Sequence, residues 1–159
     1  MDIAEGVAKA FRMDDDKWRR HANPWSVWTR MAAIPLMLLA IWSRAWIGWW
    51  CLAPIGLVVV WLFVNPWVFG PIDRPRSWAS RGIFGEKAWL RDRGLLPPDH
   101  RAVLRFLVVL GVAAFGLLVW GLVALLVWPT VFGATLLVLA QLWRIDRFTR
   151  LWEAVDQRS

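Results

Sequence analysis

The residues best suited to chemistry are the two histidines, His21 and His100, because each lies close in sequence to carboxylates. His21 follows Asp15 and Asp16, and His100 comes directly after Asp99. Imidazole and carboxylate groups together can bind a metal ion or act as an acid–base pair. The two histidines are far apart and form no i, i+4 ligand pair, so the pattern favours headgroup contact for His21 and helix capping by Asp99 and His100. We therefore predict no metal site and no cofactor.

A rim site at the membrane surface is the second candidate for chemistry, formed by His21, Asn23, Trp25 and Arg30 around the start of the first apolar stretch. The sequence lacks other catalytic patterns, including a complete phosphate-binding loop and a Gly-x-Ser-x-Gly motif. The apolar stretches carry no Asp or Glu, which proton-coupled carriers usually need at membrane depth. The missing carboxylates argue against a pump or secondary transporter, though not against passive passage. The missing catalytic motifs favour a protein that is not an enzyme, and we predict no catalytic residue.

Arginines flank the apolar stretches, and the chain has a net charge of +7. On a soluble protein this charge would indicate nucleic acid as the partner, but beside apolar stretches it indicates a membrane surface. We therefore predict contact with anionic lipid headgroups and no binding of nucleic acid. The alternative is that the charges only orient the protein in the bilayer. The arginines predicted to hold headgroups are Arg74, Arg76, Arg81, Arg91, Arg93, Arg144 and Arg147.

The elements that position these residues are predicted to be membrane-spanning helices. Residues 45–72 and 106–143 contain no charged side chain, although 19% of the chain is charged and 58% is hydrophobic. One crossing needs about 20 apolar residues, so residues 106–143 must turn. Trp128-Pro129 is the expected place, because the residue before proline disfavours helix. With one further span before residue 44, the pattern predicts an all-α integral membrane protein, a four-helix bundle with short cytoplasmic surface helices.

The chain divides by composition into five segments. Residues 1–22 are an amphipathic cytoplasmic segment, 23–69 a transmembrane hairpin, 70–100 a basic cytoplasmic loop, 101–143 a second hairpin and 144–159 a cytoplasmic helix. Asn23-Pro24 is a typical helix start, Asn65-Pro66 is expected to end the second span, and a surface helix is expected at 84–90. Basic residues collect in the loop and the terminal segments, so both termini are predicted to be cytoplasmic at the cell membrane, with Arg44 on the other face.

Two prolines suggest a pocket within the first hairpin. Pro35 and Pro54 lie at about the same distance, roughly 17 Å, from the predicted cytoplasmic interface. Each would free a backbone carbonyl and kink its helix, and two kinks at one depth would open a small cavity between the spans. The alternative is a coincidental match in depth, since proline is frequent in membrane helices.

The chain is rich in tryptophan, with 15 Trp and no Tyr. In this it is similar to the tryptophan-rich sensory proteins, but their Trp-x-Pro-Pro-x-Trp motif is missing, because no Trp flanks Pro97-Pro98. The block Trp18–Arg30, the pair Asn65-Pro66 followed by Pro71, and the Trp78–Trp89 loop instead resemble a family of small, functionally uncharacterised membrane proteins of bacteria and archaea. The resemblance covers most of the chain and implies no known activity.

Three classes of function are compatible with the sequence. The best supported is a non-enzymatic membrane protein that acts as an accessory, a scaffold or a lipid-associated protein, with a protein partner or a second copy of itself. The second is a protein that binds or passes a small molecule between its transmembrane helices. The third is a membrane enzyme that works at the cytoplasmic rim.

Overall fold

The computed structural model describes residues 15–92, 94 and 98–157, and this part of the chain is helical with no strand, which confirms the all-α prediction there. The predicted N-terminal amphipathic segment therefore lies mostly outside the described residues. The helices are α1 (Asp15–His21), α2 (Pro24–Trp42), α3 (Arg44–Ile47), α4 (Leu52–Val68), α5 (Trp78–Arg91), α6 (Pro98–Ala124) and α7 (Val127–Asp156), with a 3₁₀ helix at Gly48–Cys51.

Two helical stretches are long and apolar enough to cross a membrane, Pro24–Val68 and His100–Ala124. Their most apolar windows have mean hydropathies of 2.2 and 2.6. The first stretch contains both α2 and α4, which fold back on each other as a hairpin through α3 and the 3₁₀ helix. Membrane-crossing length and composition are thus present in both halves of the chain.

The start of α2 agrees with the capping pattern in the sequence. The Asn23 side chain accepts a hydrogen bond from the Trp25 amide at 3.0 Å, and Pro24 occupies the first helical position. Proline loses nothing there, because its missing N–H would have no partner inside the helix. Small residues then allow close contact along the helix, since Ala33 and Ala40 are both buried.

The second helix of this hairpin begins and ends later than the sequence suggests. The apolar pattern predicts a span at 45–64, whereas α4 covers Leu52–Val68 and runs through Asn65-Pro66. Gly48 breaks the regular helix before α4, because its φ is 55°, a value that glycine adopts at little cost. Pro66 is tolerated because it lies in the last turn of α4, where it removes only one backbone hydrogen bond.

α6 and α7 form the second hairpin, and they turn at Leu125 and Leu126. Leu125 has a φ of 54°, and the Leu126 amide donates to the Gly121 carbonyl at 2.8 Å. The turn therefore comes slightly before the predicted Trp128-Pro129. Pro129 falls in the first turn of α7, where the amide has no intrahelical partner to lose. α7 then continues to Asp156, which confirms the prediction that this helix extends past Trp143.

The segment between the hairpins contains α5, which is longer than the surface helix expected at 84–90. Ser77 caps it by accepting from the Ser80 amide at 3.1 Å. α5 packs against the C-terminal half of α7 with its backbone in close contact. A Cβ atom at Gly85 would clash with the Phe148 carbonyl, and one at Gly82 would lie 2.5 Å from the Ile145 side chain. Glycine at these positions allows the two helices to touch.

The hairpins are also joined at the end opposite α5. The Arg44 guanidinium donates to the backbone carbonyls of Leu122 and Val123, the second at 2.7 Å. These carbonyls belong to the last turn of α6, where carbonyls have no partner within the helix and the helix dipole favours a cation. One arginine thus ties the turn of the first hairpin to the turn of the second.

Candidate functional site

A buried polar cluster joins α2 and α4 near the end that faces α5. The Ser26 hydroxyl donates to Asn65 Oδ1 at 2.7 Å, and Asn65 Nδ2 donates to Thr29 Oγ1 at 2.7 Å. Ser26 and Asn65 are completely buried. Thr29 in turn donates to the Trp25 carbonyl at 2.6 Å. These three residues, Ser26, Thr29 and Asn65, are called the rim cluster below.

His21 and Arg30 form a second polar contact next to the rim cluster, where α1 meets α2. Arg30 Nη2 donates to the His21 carbonyl at 2.8 Å, and Nη1 contacts His21 Nδ1. A guanidinium group can only donate, so Nδ1 is the acceptor and the ring proton lies on Nε2. Burial, and then the positive charge of Arg30, lower the pKa of His21 to about 4. The imidazole is therefore neutral near pH 7.

α5 is fastened to the same corner of the molecule through its first turn. The Ser80 hydroxyl donates to the Ala22 carbonyl at 2.7 Å, and both residues are fully buried. On the other side of the corner, Asn23 Nδ2 donates to the Gly70 carbonyl at 3.0 Å. The corner between α1 and α2 therefore holds both the start of α5 and the segment that leads to it.

The structure brings three of the four predicted rim residues together. His21, Asn23 and Arg30 lie around one corner, whereas the Trp25 side chain is 70% exposed and points away. The sequence did not identify Ser26, Asn65 or Ser80. The Asn65-Pro66 pair indicates a helix end, and the only signal for the role of Asn65 is its position as an amide inside an otherwise apolar stretch.

The polar side chains of this site mainly form hydrogen bonds with one another. Ser26, Thr29 and Asn65 serve as donors and acceptors for each other, and the His21 ring accepts from Arg30. Among the described residues, no three His, Cys, Asp or Glu side chains are grouped so that they could hold a metal ion. The arrangement can fix the relative positions of α1, α2, α4 and α5, and buried polar groups satisfied in this way confer rigidity.

The seven arginines predicted to hold lipid headgroups fall into distinct environments. Arg81 pairs with Glu153 at 2.9 Å, Arg91 with Asp15 at 2.9 Å, and Arg144 with Glu86 at 3.4 Å. Arg93 lies outside the described residues. The remaining three have no ion pair with another described residue, and of these two are exposed and one is half-buried: Arg74, Arg76 and Arg147.

Asp15 connects the N-terminal end of α1 to the C-terminal end of α5. It accepts from Lys87 Nζ at 2.8 Å and from Arg91 at 2.9 Å. The hydrogen bond from Lys87, the positive charge of Lys87 and the nearby Arg91 hold the pKa of Asp15 below its usual value. An acidic residue in the first turn of α1 is also favoured by the helix dipole.

The predicted pair of proline kinks in the first hairpin is wrong in its geometry. Pro35 lies inside α2, but Pro54 is in the first turn of α4. A proline in a first turn removes no hydrogen bond from the helix interior, so Pro54 does not free a carbonyl at mid-membrane depth. The proline inside α4 is Pro66, near its other end.

Comparison with known proteins places the chain in a family but gives it no activity. The family described as "Family of unknown function (DUF6653)" matches residues 2–159. No curated protein and no solved structure matches the chain. The prediction that the chain belongs to a family without a characterised function is confirmed. The match spans nearly every residue, so the chain belongs to DUF6653, a protein family of unknown function.

Proposed function

We propose that this protein is a non-enzymatic, multi-pass membrane protein, an accessory or scaffold protein that associates with anionic lipids. Its four spans are α2, α4, α6 and the apolar half of α7. The observation that carries this proposal is the outward-facing apolar surface of these helices. Leu57, Phe63 and Val109 are each about 70% exposed or more, and contiguous exposed apolar surface of this kind marks contact with a membrane or a partner.

The apolar stretches match a soluble core or a signal sequence less well than they match membrane spans. The core helix of a soluble protein is mostly buried, whereas only 6% of the most apolar window in Pro24–Val68 is buried. A signal sequence has an apolar region of about 7–15 residues, whereas this stretch is 45 residues long and contains both α2 and α4. A lipid environment accounts for both the length and the exposure.

The distribution of charge supports an orientation with the α5 side in the cytoplasm. α1, α5 and the C-terminal half of α7 carry most of the described basic residues, whereas Arg44 lies at the opposite end. Basic residues accumulate on the cytoplasmic side of membrane proteins. Both ends of the chain and the segment around α5 are therefore cytoplasmic in this proposal.

The exposed part of the basic surface is the element that would contact lipid headgroups. Arg74 and Arg76 are exposed, Arg147 is half-buried, and these three are not engaged in ion pairs with other described residues. Each basic side chain near an anionic surface contributes about 1 kcal/mol. Arginines that already pair with carboxylates, such as Arg81 with Glu153, have less to gain from a headgroup.

The experiment compares the lipids that co-purify with the wild type and with the triple variant Arg74→Gln/Arg76→Gln/Arg147→Gln. We expect the wild type to be enriched in anionic over zwitterionic lipid relative to the bulk membrane, and the triple variant to approach the bulk ratio. The matched control, Arg74→Lys/Arg76→Lys/Arg147→Lys, keeps the charges and should keep the enrichment. Equal enrichment in all three proteins would mean that the charges serve orientation alone.

A further inference from the structure

A groove of about 530 Å³ runs between α6 and α7 and ends beside α5. Most of its wall is apolar, and its lining on α6 extends from Leu104 to Phe115. These residues span about 16 Å along the helix axis, close to half of a bilayer core of about 30 Å. The groove thus has the depth of one leaflet.

The groove lies away from the shared turn of the two helices, near which they pack closely. A Cβ atom at Gly121 would lie 2.5 Å from the Thr130 amide nitrogen, and one at Gly133 would lie 2.7 Å from the Leu118 amide nitrogen. At Gly111, which lines the groove, a Cβ atom would meet nothing within 4 Å. Glycine permits contact at the first two positions and leaves empty space at the third.

Polar groups are concentrated at the end of the groove that lies beside α5. Gln141, Arg144 and the Trp89 indole contribute to the lining there. The Arg144 guanidinium pairs with Glu86 at 3.4 Å, which is long for a charged pair. Its Nε–H is buried and has no acceptor among the described residues. A cation with one unused donor among the described residues therefore lies at the polar end of an apolar groove.

We propose that this groove is a binding site for one anionic phospholipid of the cytoplasmic leaflet. One acyl chain lies along α6 past Gly111, and the phosphate group pairs with Arg144. The choice of occupant follows from charge and shape, since the site has an apolar body of leaflet depth and a single cationic end. Guanidinium groups bind phosphate oxygens well, and an indole ring such as that of Trp89 favours the headgroup level. This inference rests on the proposed membrane location.

The acyl-chain part is tested with two glycine variants of the same helix. Gly111→Leu places a side chain in the groove, whereas Gly116→Leu makes the same change at a position that is also open but lies outside the groove lining. The delipidated protein is titrated with phosphatidylglycerol and read by native mass spectrometry. We expect the affinity for the first phosphatidylglycerol to fall at least tenfold in Gly111→Leu and to stay within twofold of the wild-type affinity in Gly116→Leu.

The headgroup part is tested at Arg144, which lines the polar end of the groove. Arg144→Gln should weaken binding of the first phosphatidylglycerol about tenfold. Binding of phosphatidylcholine should weaken less, because its choline cation already offsets the charge of its phosphate, and Arg144→Lys should recover part of the loss. Glu86→Gln removes the competing carboxylate, so it should keep or strengthen the binding. A Gly111→Leu protein that binds as the wild type does, or an Arg144→Gln protein with undiminished preference for phosphatidylglycerol, would overturn the site.

Failure of this site can be separated from failure of the proposed function. The triple variant Arg74→Gln/Arg76→Gln/Arg147→Gln should lower the total number of bound anionic lipids while the first, tight one remains. If Gly111→Leu has no effect but the triple variant still loses lipid, the groove is wrong and the basic surface stands. If the protein does not fractionate with membranes, both are wrong.

Discussion

The buried hydrogen bonds of the rim cluster hold two otherwise apolar helices in one register. Asn65 is the residue that both accepts and donates within it, so it determines how α2 and α4 face each other. In an apolar surrounding, a hydroxyl that loses its partner pays the cost of desolvation without compensation. The hydrogen bonds of these few polar atoms therefore contribute to the stability of the first hairpin.

Substituting Asn65→Leu should destabilise the protein by about 1–3 kcal/mol, because the Ser26 hydroxyl loses its acceptor and the Thr29 hydroxyl loses its donor. The measurement is equilibrium unfolding in detergent. Thr135→Val is a suitable control, since Thr135 is exposed and its hydroxyl donates to the Val131 carbonyl of its own helix, with no other hydrogen bond to the described residues. The interpretation fails if both variants change the unfolding midpoint equally.

His21 should make the protein less stable in mild acid. Its folded-state pKa of about 4 lies below the unfolded value of about 6.5. Between these pH values the unfolded chain binds more protons than the folded protein. The contribution of neutral His21 to stability is therefore complete above pH 6.5 and is lost as the pH falls toward 4. The loss amounts to at most about 3 kcal/mol.

The measurement for His21 is the melting temperature in detergent from pH 7 to pH 4. The His21→Gln variant keeps an acceptor for Arg30 but does not titrate, so its profile should be flatter than that of the wild type. Asp15 contributes little in this range, because its effect begins near its unfolded pKa of 3.8 and lies mostly below pH 4. Parallel profiles for the two proteins would show that His21 is not responsible.

At the scale of elements, α5 connects the two hairpins beside the basic surface. It contacts α7 through Gly82 and Gly85 and reaches the α1–α2 corner through Ser80. Ion pairs surround these contacts, including Arg81 with Glu153 and Arg144 with Glu86. Close packing sets the distance between the helices, and the ion pairs, whose arginine side chains are about 40% exposed, add little to the stability of the contact.

Gly85→Ala should separate α5 from α7, because the new methyl group would overlap the Phe148 carbonyl. We expect a destabilisation of about 1–3 kcal/mol from overpacking, seen as a lower melting temperature. Gly56→Ala is the matched control within α4, where a Cβ atom meets nothing within 4 Å. That change should be neutral or stabilising, since alanine favours helix over glycine by about 1 kcal/mol. Equal effects of the two substitutions would contradict the contact.

The sequence predicts a helix boundary well where the residues that determine it are neighbours in the chain, and poorly where distant contacts determine it. The start of α2 was predictable, because Asn23 and Pro24 act on the adjacent turn. The role of Pro54 was not, because it depends on where α4 begins, and the break at Gly48 shifts that start toward the C-terminus. α5 was predicted too short, because glycine inside a helix weakens the local pattern while contact with α7 requires it.

The candidate site was predictable only in part, for a related reason. His21 and Arg30 stand out as charged or titratable groups beside an apolar stretch. Ser26 and Asn65 are ordinary residues until the fold brings α2 and α4 together, and they are far apart in the sequence. The groove beside Gly111 likewise depends on how α6 and α7 diverge, which no residue pattern in α6 alone indicates.

At the scale of the whole molecule, the described helices form two hairpins that are joined at both ends. α5 joins them beside the basic surface, and Arg44 joins them at the opposite turns. Apolar side chains face outward between these two connections. In the proposed arrangement the connections mark the two faces of the membrane, and lipid surrounds the part between them.

The most direct test of this arrangement is the sidedness of single cysteines in intact cells. The sole native cysteine is replaced by Cys51→Ser, and Ala45→Cys, Arg76→Cys or Gln157→Cys is then introduced at an exposed position. Ala45→Cys should react with a membrane-impermeant maleimide added outside the cells, because it lies next to Arg44. Arg76→Cys and Gln157→Cys should react only after permeabilisation. External labelling of either of these two, or their appearance on opposite sides, would contradict the four-span arrangement.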